Sequence, residues 1–226
     1  MSTNIYYDGF GREIQTRSFT HQVYGVSGDQ DLVTLIGYGD NGQANCRSVS
    51  FAVPRTSGLV TATCASKAHT TTDFDDLGRQ TSVTTPDGNA TTFAYYILAN
   101  PLGMPGNATA VNTYDAEGRV RSNWMDALGQ LIQVVDHTGT SSATYAQYGY
   151  VNYEYDKLGN LTQVETVDLT NNNLTLTTEL QYDVLGRKVR MDDPDMGVWE
   201  YTYDAQGNLI VQEDAKGLHI LAHDDQ

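Results

Sequence analysis

The sequence predicts an all-β fold, an array of antiparallel β-hairpins that form a curved, open sheet. A six-residue pattern, hydrophobic–Asp–x–x–Gly–Arg/Asn/Gln, recurs seven times, and its first residue is mostly aromatic. The chain also holds 15 Tyr against five Phe, and further Asp/Gly turns separate several copies of the pattern. Tyrosine fits a pleated, half-buried strand surface. A pattern that returns this often indicates a building unit rather than one active site.

The seven copies share an Asp in the second position and a Gly in the fifth. They occupy residues 7–12, 74–79, 114–119, 125–130, 155–160, 182–187 and 203–208. We predict that the structural repeat is defined by Tyr7, Asp8, Gly11, Arg12, Asp75, Gly78, Arg79, Tyr114, Asp115, Gly118, Arg119, Asp126, Gly129, Tyr155, Asp156, Gly159, Tyr182, Asp183, Gly186, Arg187, Tyr203, Asp204 and Gly207.

Each residue type in the pattern has a local role in a turn. An Asp that opens a turn accepts a hydrogen bond from the backbone N–H two residues later. The Gly tolerates the positive φ of a hairpin turn that ends in a bulge. Around Asp156 and Gly159, the strand Tyr153–Tyr155 enters the turn, and Leu161 begins the return strand. We therefore predict that every copy is one β-hairpin.

A second set of Asp/Gly turns lies between the copies. It comprises residues 86–88, 136–139, 194–197 and 214–217. From Tyr182 to Gly217 the turns follow at intervals of roughly ten residues, which is typical of an all-β array. The sequence divides into a first hairpin at 1–20, an irregular β segment at 21–72, and the main hairpin array at 73–226. We predict one continuous domain.

The repeated residues resemble the YD repeats of the RHS (rearrangement hotspot) family. The Tyr-Asp pairs, the Gly-Arg or Gly-Asn that closes most turns, and the segment from Asp192 to Gly217 carry this resemblance. The opening Tyr6–Gln15 is similar to the start of the repeat region in B components of insecticidal Tc toxins. The resemblance covers about residues 5–20 and 73–217.

The resemblance implies a section of wall from a spiral β shell. Such shells enclose a toxic C-terminal cargo, and in many members a core segment releases that cargo by self-cleavage. Neither the core segment nor a toxin domain is recognisable in this sequence. The implied partners are the remainder of the shell and its cargo, and the implied location is extracellular, as part of a larger secreted bacterial protein. The chain shows no signal peptide.

The open ends of such a wall segment leave strand edges without a neighbour. Unpaired N–H and C=O groups on an edge strand are a template for pairing with another chain. An edge-strand homodimer is therefore a second expected partner.

The charge excludes some partners. The chain carries 28 acidic and 13 basic residues, a net charge of −15. Nucleic-acid backbones and anionic membrane surfaces attract the opposite charge. No apolar run approaches the roughly 18 residues of a membrane-spanning helix. We therefore expect no nucleic acid partner and no membrane span.

The residues give no catalytic or cofactor-binding constellation. The five histidines lack the spacing of metal ligands. Gly25–Gly28 stops short of a nucleophile elbow, and Cys64 with His69 has no orienting third group. The acidic clusters Asp73–Asp76 and Asp192–Asp195 do not match a calcium loop. We expect no enzyme activity, no metal and no cofactor.

Two features leave alternatives open. Cys46 and Cys64 either form a disulfide or remain as two buried thiols. The arginines after the turn glycine either bind anions as a ladder, or pair with a neighbouring unit's Asp or stack on its Tyr.

The tyrosines provide an alternative function, an extracellular module that binds carbohydrate or protein. Tyr145, Tyr148 and Tyr150 lie in a stretch without an adjacent Asp turn, 143–151. Aromatic faces stack on sugar rings, so these three form the candidate ligand-facing group. The competing interpretation is an irregular packed connection.

Overall fold

The structure is a computed structural model that describes residues 3–20, 29–55, 58–99, 107–141, 144–214 and 216–220. These residues form eighteen strands and one 3-10 turn, and the described ranges contain no α-helix. The strands are β1 (Thr3–Tyr7), β2 (Glu13–Thr20), β3 (Gln30–Tyr38), β4 (Ala44–Ser48), β5 (Phe51–Pro54), β6 (His69–Phe74), β7 (Gln80–Thr84), β8 (Ala90–Ala99), β9 (Asn107–Tyr114), β10 (Val120–Met125), β11 (Leu131–Thr138), β12 (Ala146–Tyr155), β13 (Leu161–Asp168), β14 (Leu174–Tyr182), β15 (Lys188–Asp193), β16 (Gly197–Tyr203), β17 (Leu209–Asp214) and β18 (Gly217–Ile220).

The described pairs of consecutive strands confirm the predicted all-β fold of antiparallel hairpins. All seven copies of the pattern lie at hairpin turns, between β1 and β2, β6 and β7, β9 and β10, β10 and β11, β12 and β13, β14 and β15, and β16 and β17. The chain divides into two compact units. Unit 1 comprises residues 1–94 and 114–116, and unit 2 comprises residues 95–113 and 117–226.

Unit 1 is organised around β3. Strand β2 pairs with β3 on one side, and β1 pairs with β2. The other side of β3 is shared, because its first half pairs with β5 and its last residues pair with β4. Strands β6, β7 and β8 then continue outward from β4. Much of the segment 21–72, which the sequence predicts as irregular β, thus lies in paired strands.

A small apolar core supports β3. Val33, Leu35 and Cys64 are buried together, and Phe51 and Val60 pack against them. Val33 and Leu35 lie two residues apart, so they face the same side of the strand. The connection that contains the 3-10 turn at Cys64–Ser66 covers this face.

A disulfide joins that connection to the sheet. Cys46 on β4 is bonded to Cys64. The choice left open by the sequence is therefore resolved as a disulfide.

An ion pair is also buried in unit 1. Arg17 on β2 and Asp31 on β3 are 1% and 0% exposed, and the Arg17 Nε lies 2.7 Å from the Asp31 Oδ2. The Arg17 guanidinium also donates to the carbonyls of Gly58 and Pro54. Because both charges are removed from water, the pair needs these extra hydrogen bonds to be stable.

Unit 2 is a meander in which neighbours in sequence are neighbours in the sheet. From β10 to β18 every strand pairs with the next one. In such a meander alternate turns lie on the same edge. The turns at 125–130, 155–160, 182–187 and 203–208 therefore share one edge.

Burial in unit 2 falls along the chain. Val120, Ile132, Val135 and Val167 are among its buried side chains. Among residues 168–214, 216 and 217, none is fully buried. The strands from β14 onward therefore form a sheet whose two faces both keep partial exposure.

Candidate functional site

The repeated turns share one set of hydrogen bonds. In the copy at 155–160, the N–H of Asp156 donates to the carbonyl of Asn160, and the N–H of Gly159 donates to the carbonyl of Asp156. The Asp156 Oδ1 accepts from the N–H groups of Leu158 and Asn160 at 2.8 and 2.9 Å. Gly159 has a φ of 88°. Asp and Gly thus have the turn-forming roles that the sequence predicts for them.

The same geometry recurs in the other copies. The register shifts just before the first residue of the turn, as between Glu154 and Tyr155, so each such turn is followed by a bulge. The equivalent glycines have positive φ: Gly11, Gly78, Gly118, Gly129, Gly186 and Gly207. The equivalent acceptors are Asp8, Asp75, Asp126, Asp183 and Asp204.

These hydrogen bonds favour the ionised form of the carboxylates of Asp156 and Asp183. The pKa of Asp156 is lowered from its ordinary value of 3.8, first by the side-chain hydrogen bond from Asn160 and then by backbone N–H groups. The pKa of Asp183 is lowered chiefly by the backbone N–H of Arg187 and then by its guanidinium. Donors that favour the charged form of a carboxyl lower its pKa. The carboxylates are therefore already occupied as acceptors within their turns.

The residue that closes the turn pairs with the Asp of its own turn. Arg12 reaches Asp8 at 2.7 Å, and Arg187 reaches Asp183 at 2.6 Å. Asn160 makes the equivalent bond to the Asp156 Oδ2. For Arg12 and Arg187 the carboxylate partner is thus the Asp of their own turn, and the Arg187 Nη1 also donates to the backbone carbonyl of Asp204 in the next repeat at 3.3 Å. The pairing within one turn arises because Asp and Arg lie four residues apart across a tight turn, which brings their side chains together.

Arg79 pairs with the Asp of its own turn, and Arg119 pairs with a Glu of its own turn. Arg79 lies 2.7 Å from the carboxylate of Asp75. The Arg119 guanidinium lies 2.9 Å from Glu117. Tyr114 and Asp115 begin that turn, at the junction of β9 and β10.

Stacking on a neighbouring unit's Tyr does occur. The Arg12 guanidinium lies 4.3 Å from the ring centre of Tyr38, and the Arg187 guanidinium lies 4.8 Å from that of Tyr203. Each ring belongs to the next turn along the same edge. The closing residue therefore links its own carboxylate to the following hairpin.

The tyrosine hydroxyls complete a ladder between turns. The Tyr155 hydroxyl donates to the carbonyl of Leu131 at 2.9 Å, and the Tyr203 hydroxyl donates to that of Lys188 at 2.8 Å. Each acceptor directly follows the closing residue of the preceding turn. Burial raises the pKa of Tyr155 and of Tyr182, which agrees with rings packed between hairpins.

Two further turns use the same backbone geometry without the full sequence pattern. In Tyr38–Gln43 the N–H of Gly39 donates to the carbonyl of Gln43. The Tyr38 hydroxyl donates to the carbonyl of Glu13 at 2.7 Å, as in the ladder above. Thr85–Asn89 has the equivalent backbone bonds. In the sequence, Tyr38–Gln43 has the aromatic first residue and the fifth-position Gly of the pattern and lacks only the Asp. Those two residues were the signals that could have identified this turn.

The candidate ligand-facing tyrosines are divided by the structure. The Tyr145 hydroxyl donates to the carbonyl of Gly118, and its ring lies against His137. This is a packed connection. Tyr148 and Tyr150 instead line a cavity of about 270 Å³ together with Asp136 and Asp168.

The remaining candidates either lie outside the described residues or are not brought together by the part of the chain that the structure describes. His21, His223 and Gly25–Gly28 lie outside the described residues. Cys64 is bonded to Cys46 and is not a free nucleophile. Within the described ranges no group of three His, Cys, Asp or Glu side chains is placed to hold a metal ion. No helix among those residues is long and apolar enough to cross a membrane.

Comparison with known proteins identifies the fold. No family model matches the chain, and no curated protein sequence matches it. The structure is similar to a chain of the Photorhabdus luminescens Tc holotoxin pore that carries a mutation in TccC3. The TM-score is 0.67 at 18% identity, over 95% of this chain and 11% of that one.

Two related crystal structures agree. The complex of TcdB2-TccC3 with Cdc42 matches with a TM-score of 0.65 at 18% identity, over 95% of this chain and 11% of that one. TcdB2-TccC3 matches with a TM-score of 0.54 at 15% identity, over 96% and 13%. The chain has the YD-repeat-like fold of these Tc toxin chains, and it spans about a tenth of their length.

Proposed function

We propose that the chain is a non-catalytic section of the wall of a YD-repeat shell that encloses a toxic protein cargo. The observation that carries this proposal is the ladder of turns. Its acidic, basic and aromatic side chains are used to join one hairpin to the next, as in the contacts of Arg187 with Asp183 and Tyr203. A chain whose charged side chains are used to join hairpins in this way is suited to form a continuous wall.

The exposed turn tips also favour an assembly larger than this chain. The fourth residue of five turns is apolar and between 72% and 86% exposed: Phe10, Leu77, Leu128, Leu158 and Leu185. Rows of exposed apolar side chains mark surfaces that contact other protein. The similarity to a small share of much longer toxin chains favours the remainder of such a shell as that protein. We infer a secreted bacterial toxin as the parent.

Protection of the cargo tests this function. The full-length protein that contains this segment would be treated with a protease, and cleavage of its C-terminal region would be followed by mass spectrometry. We expect that region to survive inside the shell and to be cleaved rapidly when it is produced alone. Equal cleavage in both forms would overturn the proposal.

A matched pair of variants assigns the protection to this wall. Gly159→Ala together with Gly186→Ala strains two turns of positive φ, and we expect faster cleavage of the cargo. Gly9→Ala is the control, because a Cβ there meets no atom within 4 Å. Dimerisation of the isolated chain through its edge strands remains a prediction. Light scattering would test it by measuring the molecular mass.

A further inference from the structure

A strap of residues 58–68 lies over the buried face of β3 in unit 1. It belongs to the connection between β5 and β6, and it contains the 3-10 turn at Cys64–Ser66 but no β-strand. Its side chains alternate all the same, since Val60 and Ala62 pack against the core that contains Cys64, whereas residues 59, 61 and 63 are exposed. The strap thus covers the core without joining a strand ladder.

Two side chains of β2 hold the middle of the strap. The Arg17 Nη1 donates to the carbonyl of Gly58 at 2.7 Å, and the N–H of Val60 donates to the Gln15 Oε1 at 2.9 Å. Gln15 and Arg17 are 0% and 1% exposed. This part of the strap is therefore attached by side-chain hydrogen bonds and a few apolar contacts.

The closed position of the strap has a cost in free energy. The Gln15 Nε2 is buried, and no described residue accepts a hydrogen bond from it. A buried donor without an acceptor is destabilising. Arg17 and Asp31 form a buried ion pair beside it, and burial deprives both charges of hydration. Because water would solvate all three side chains, they favour an open strap.

The disulfide fixes the strap against this cost. It joins Cys64 in the strap to Cys46 on β4, and Cys46 pairs with Gly37 of β3. A Cβ on Gly37 would lie 3.1 Å from the Cys46 Cβ and 3.5 Å from the Cys64 Cβ, so the bridge packs directly on the backbone of β3. A covalent link removes freedom that a connection held only at its two ends would have.

The strands under the strap are paired independently of it. Strand β3 is hydrogen-bonded to β2 on one side, and to β5 and β4 on the other. Arg17 also has two partners outside the strap, the Asp31 carboxylate and the carbonyl of Pro54. Release of the strap is therefore a local opening that leaves the sheet in place.

We infer that the disulfide between Cys46 and Cys64 is a redox switch that controls this strap. In the oxidised chain it holds the strap over β2 and β3. Reduction frees the strap and exposes Gln15 and Arg17 to water, while the strands remain paired. Disulfides persist in extracellular compartments and are reduced by the thiols of the cytosol. The strap is thus closed outside cells and open in a reducing cytosol.

A low-molecular-weight thiol opens the bridge in two exchange steps. Cys46 is half-buried and Cys64 is buried, so the thiolate of the reductant attacks the Cys46 sulfur. The S–S bond breaks, and the Cys64 sulfur leaves as a thiolate that takes up a proton. A second thiol of the reductant then displaces Cys46 from the mixed disulfide. The products are two cysteine thiols and one disulfide of the reductant.

Hydrogen exchange resolved by peptide tests this switch on the 226-residue chain. The chain would be compared before and after treatment with dithiothreitol. Trypsin gives a second measurement, because Lys67 lies in the strap with its Nζ 4.6 Å from the ring centre of Phe51. The control is Cys46→Ser combined with Cys64→Ser, which leaves dithiothreitol no bridge to reduce. Circular dichroism verifies that this double variant retains the sheet.

We expect peptides of residues 58–68 to be protected in the oxidised chain and to lose their protection on reduction. Cleavage after Lys67 is expected to become about tenfold faster, since proteolysis follows the population of the open form. Peptides of β2 and β3 should remain protected, and the double variant should match the reduced chain with or without dithiothreitol.

Three outcomes would each overturn the switch. They are unchanged exchange in the strap after reduction, loss of all protection in β2 and β3 together with the strap, and a double variant that does not retain the sheet. The measurements need neither a cargo nor the rest of a shell, so they are independent of the proposed function.

Discussion

The sheets of units 1 and 2 are stabilised by different kinds of contact. In unit 1 a disulfide and a buried ion pair join segments that lie far apart in sequence, such as Cys46 with Cys64 and Arg17 with Asp31. Unit 2 instead repeats modest contacts between consecutive hairpins, such as the bond from Tyr155 to Leu131. Regular hairpins can rely on many equivalent links, whereas a longer connection needs a few strong ones.

The difference has a consequence for local stability. In a repeat array each hairpin contributes its own interfaces, so stability is close to a sum of similar terms. A change at one turn of unit 2 should therefore cost little. A change at the disulfide or at the ion pair in unit 1 should cost much more.

The largest effect is expected at the buried ion pair. Asp31→Ala leaves the Arg17 guanidinium without its carboxylate in a site that is 1% exposed. Removing one partner of a buried pair costs about 3–5 kcal/mol. Urea denaturation, with hydrogen exchange resolved by peptide, would measure the loss and locate it in unit 1.

Asp29→Ala is the control for that substitution. Asp29 pairs with Arg55 at 2.9 Å, and its side chain is 53% exposed. An exposed pair contributes about 0.2–1 kcal/mol. Equal losses from Asp31→Ala and Asp29→Ala would show that burial of the ion pair does not stabilise unit 1.

The disulfide is expected to rank second. Replacing Cys46 and Cys64 by Ser releases a link across 18 residues. Loops of this length give a stabilisation of about 3 kcal/mol. Exchange protection should fall in unit 1 peptides, whereas the fluorescence of Trp124 and Trp199 follows unit 2. A reductant should reproduce the loss in the native chain and have no effect on the double variant.

A turn glycine in unit 2 is expected to cost less. Gly159→Ala places a Cβ at a φ of 88°, 3.4 Å from the Nε2 of Gln130. The left-handed region costs a residue with a Cβ about 1–2 kcal/mol. Gly9→Ala, in the third position of its turn, should change the free energy of unfolding by less than about 0.5 kcal/mol. Identical denaturation curves for both variants would refute this role of the fifth position.

The smallest effect is expected from one link of the ladder. Tyr155→Phe removes the hydroxyl that donates to Leu131 at 2.9 Å. One such hydrogen bond contributes about 1 kcal/mol. Thermal unfolding followed by circular dichroism would measure it, with Tyr7→Phe as the control at a ring that is 59% exposed. A value near zero would mean that packing of the ring alone joins the hairpins.

The sequence predicted the turns better than the contacts between them. Asp156 and Gly159 act within six residues, so their roles follow from local chemistry. Tyr38–Gln43 departs from the sequence pattern, because Gly39 occupies the Asp position and Asn41 supplies the side-chain acceptor for the N–H of Gln43. Its place in the ladder depends on the bond from Tyr38 to Glu13, which joins two hairpins.

The contacts inside unit 1 were not predictable in the same way. Arg17 and Asp31 lie 14 residues apart, and they meet because of the register between β2 and β3. The sequence also left the state of the cysteines open. A disulfide requires its two Cβ atoms to approach closely, and only the path of residues 49–63 decides whether they do.

The sequence by itself determined the hairpins, since a turn is encoded by neighbouring residues that hydrogen-bond to one another. The tertiary structure alone decided which hydroxyl reaches which carbonyl and which charges are buried. Those outcomes depend on strand register, and register brings together residues whose distance in the sequence carries no local signal.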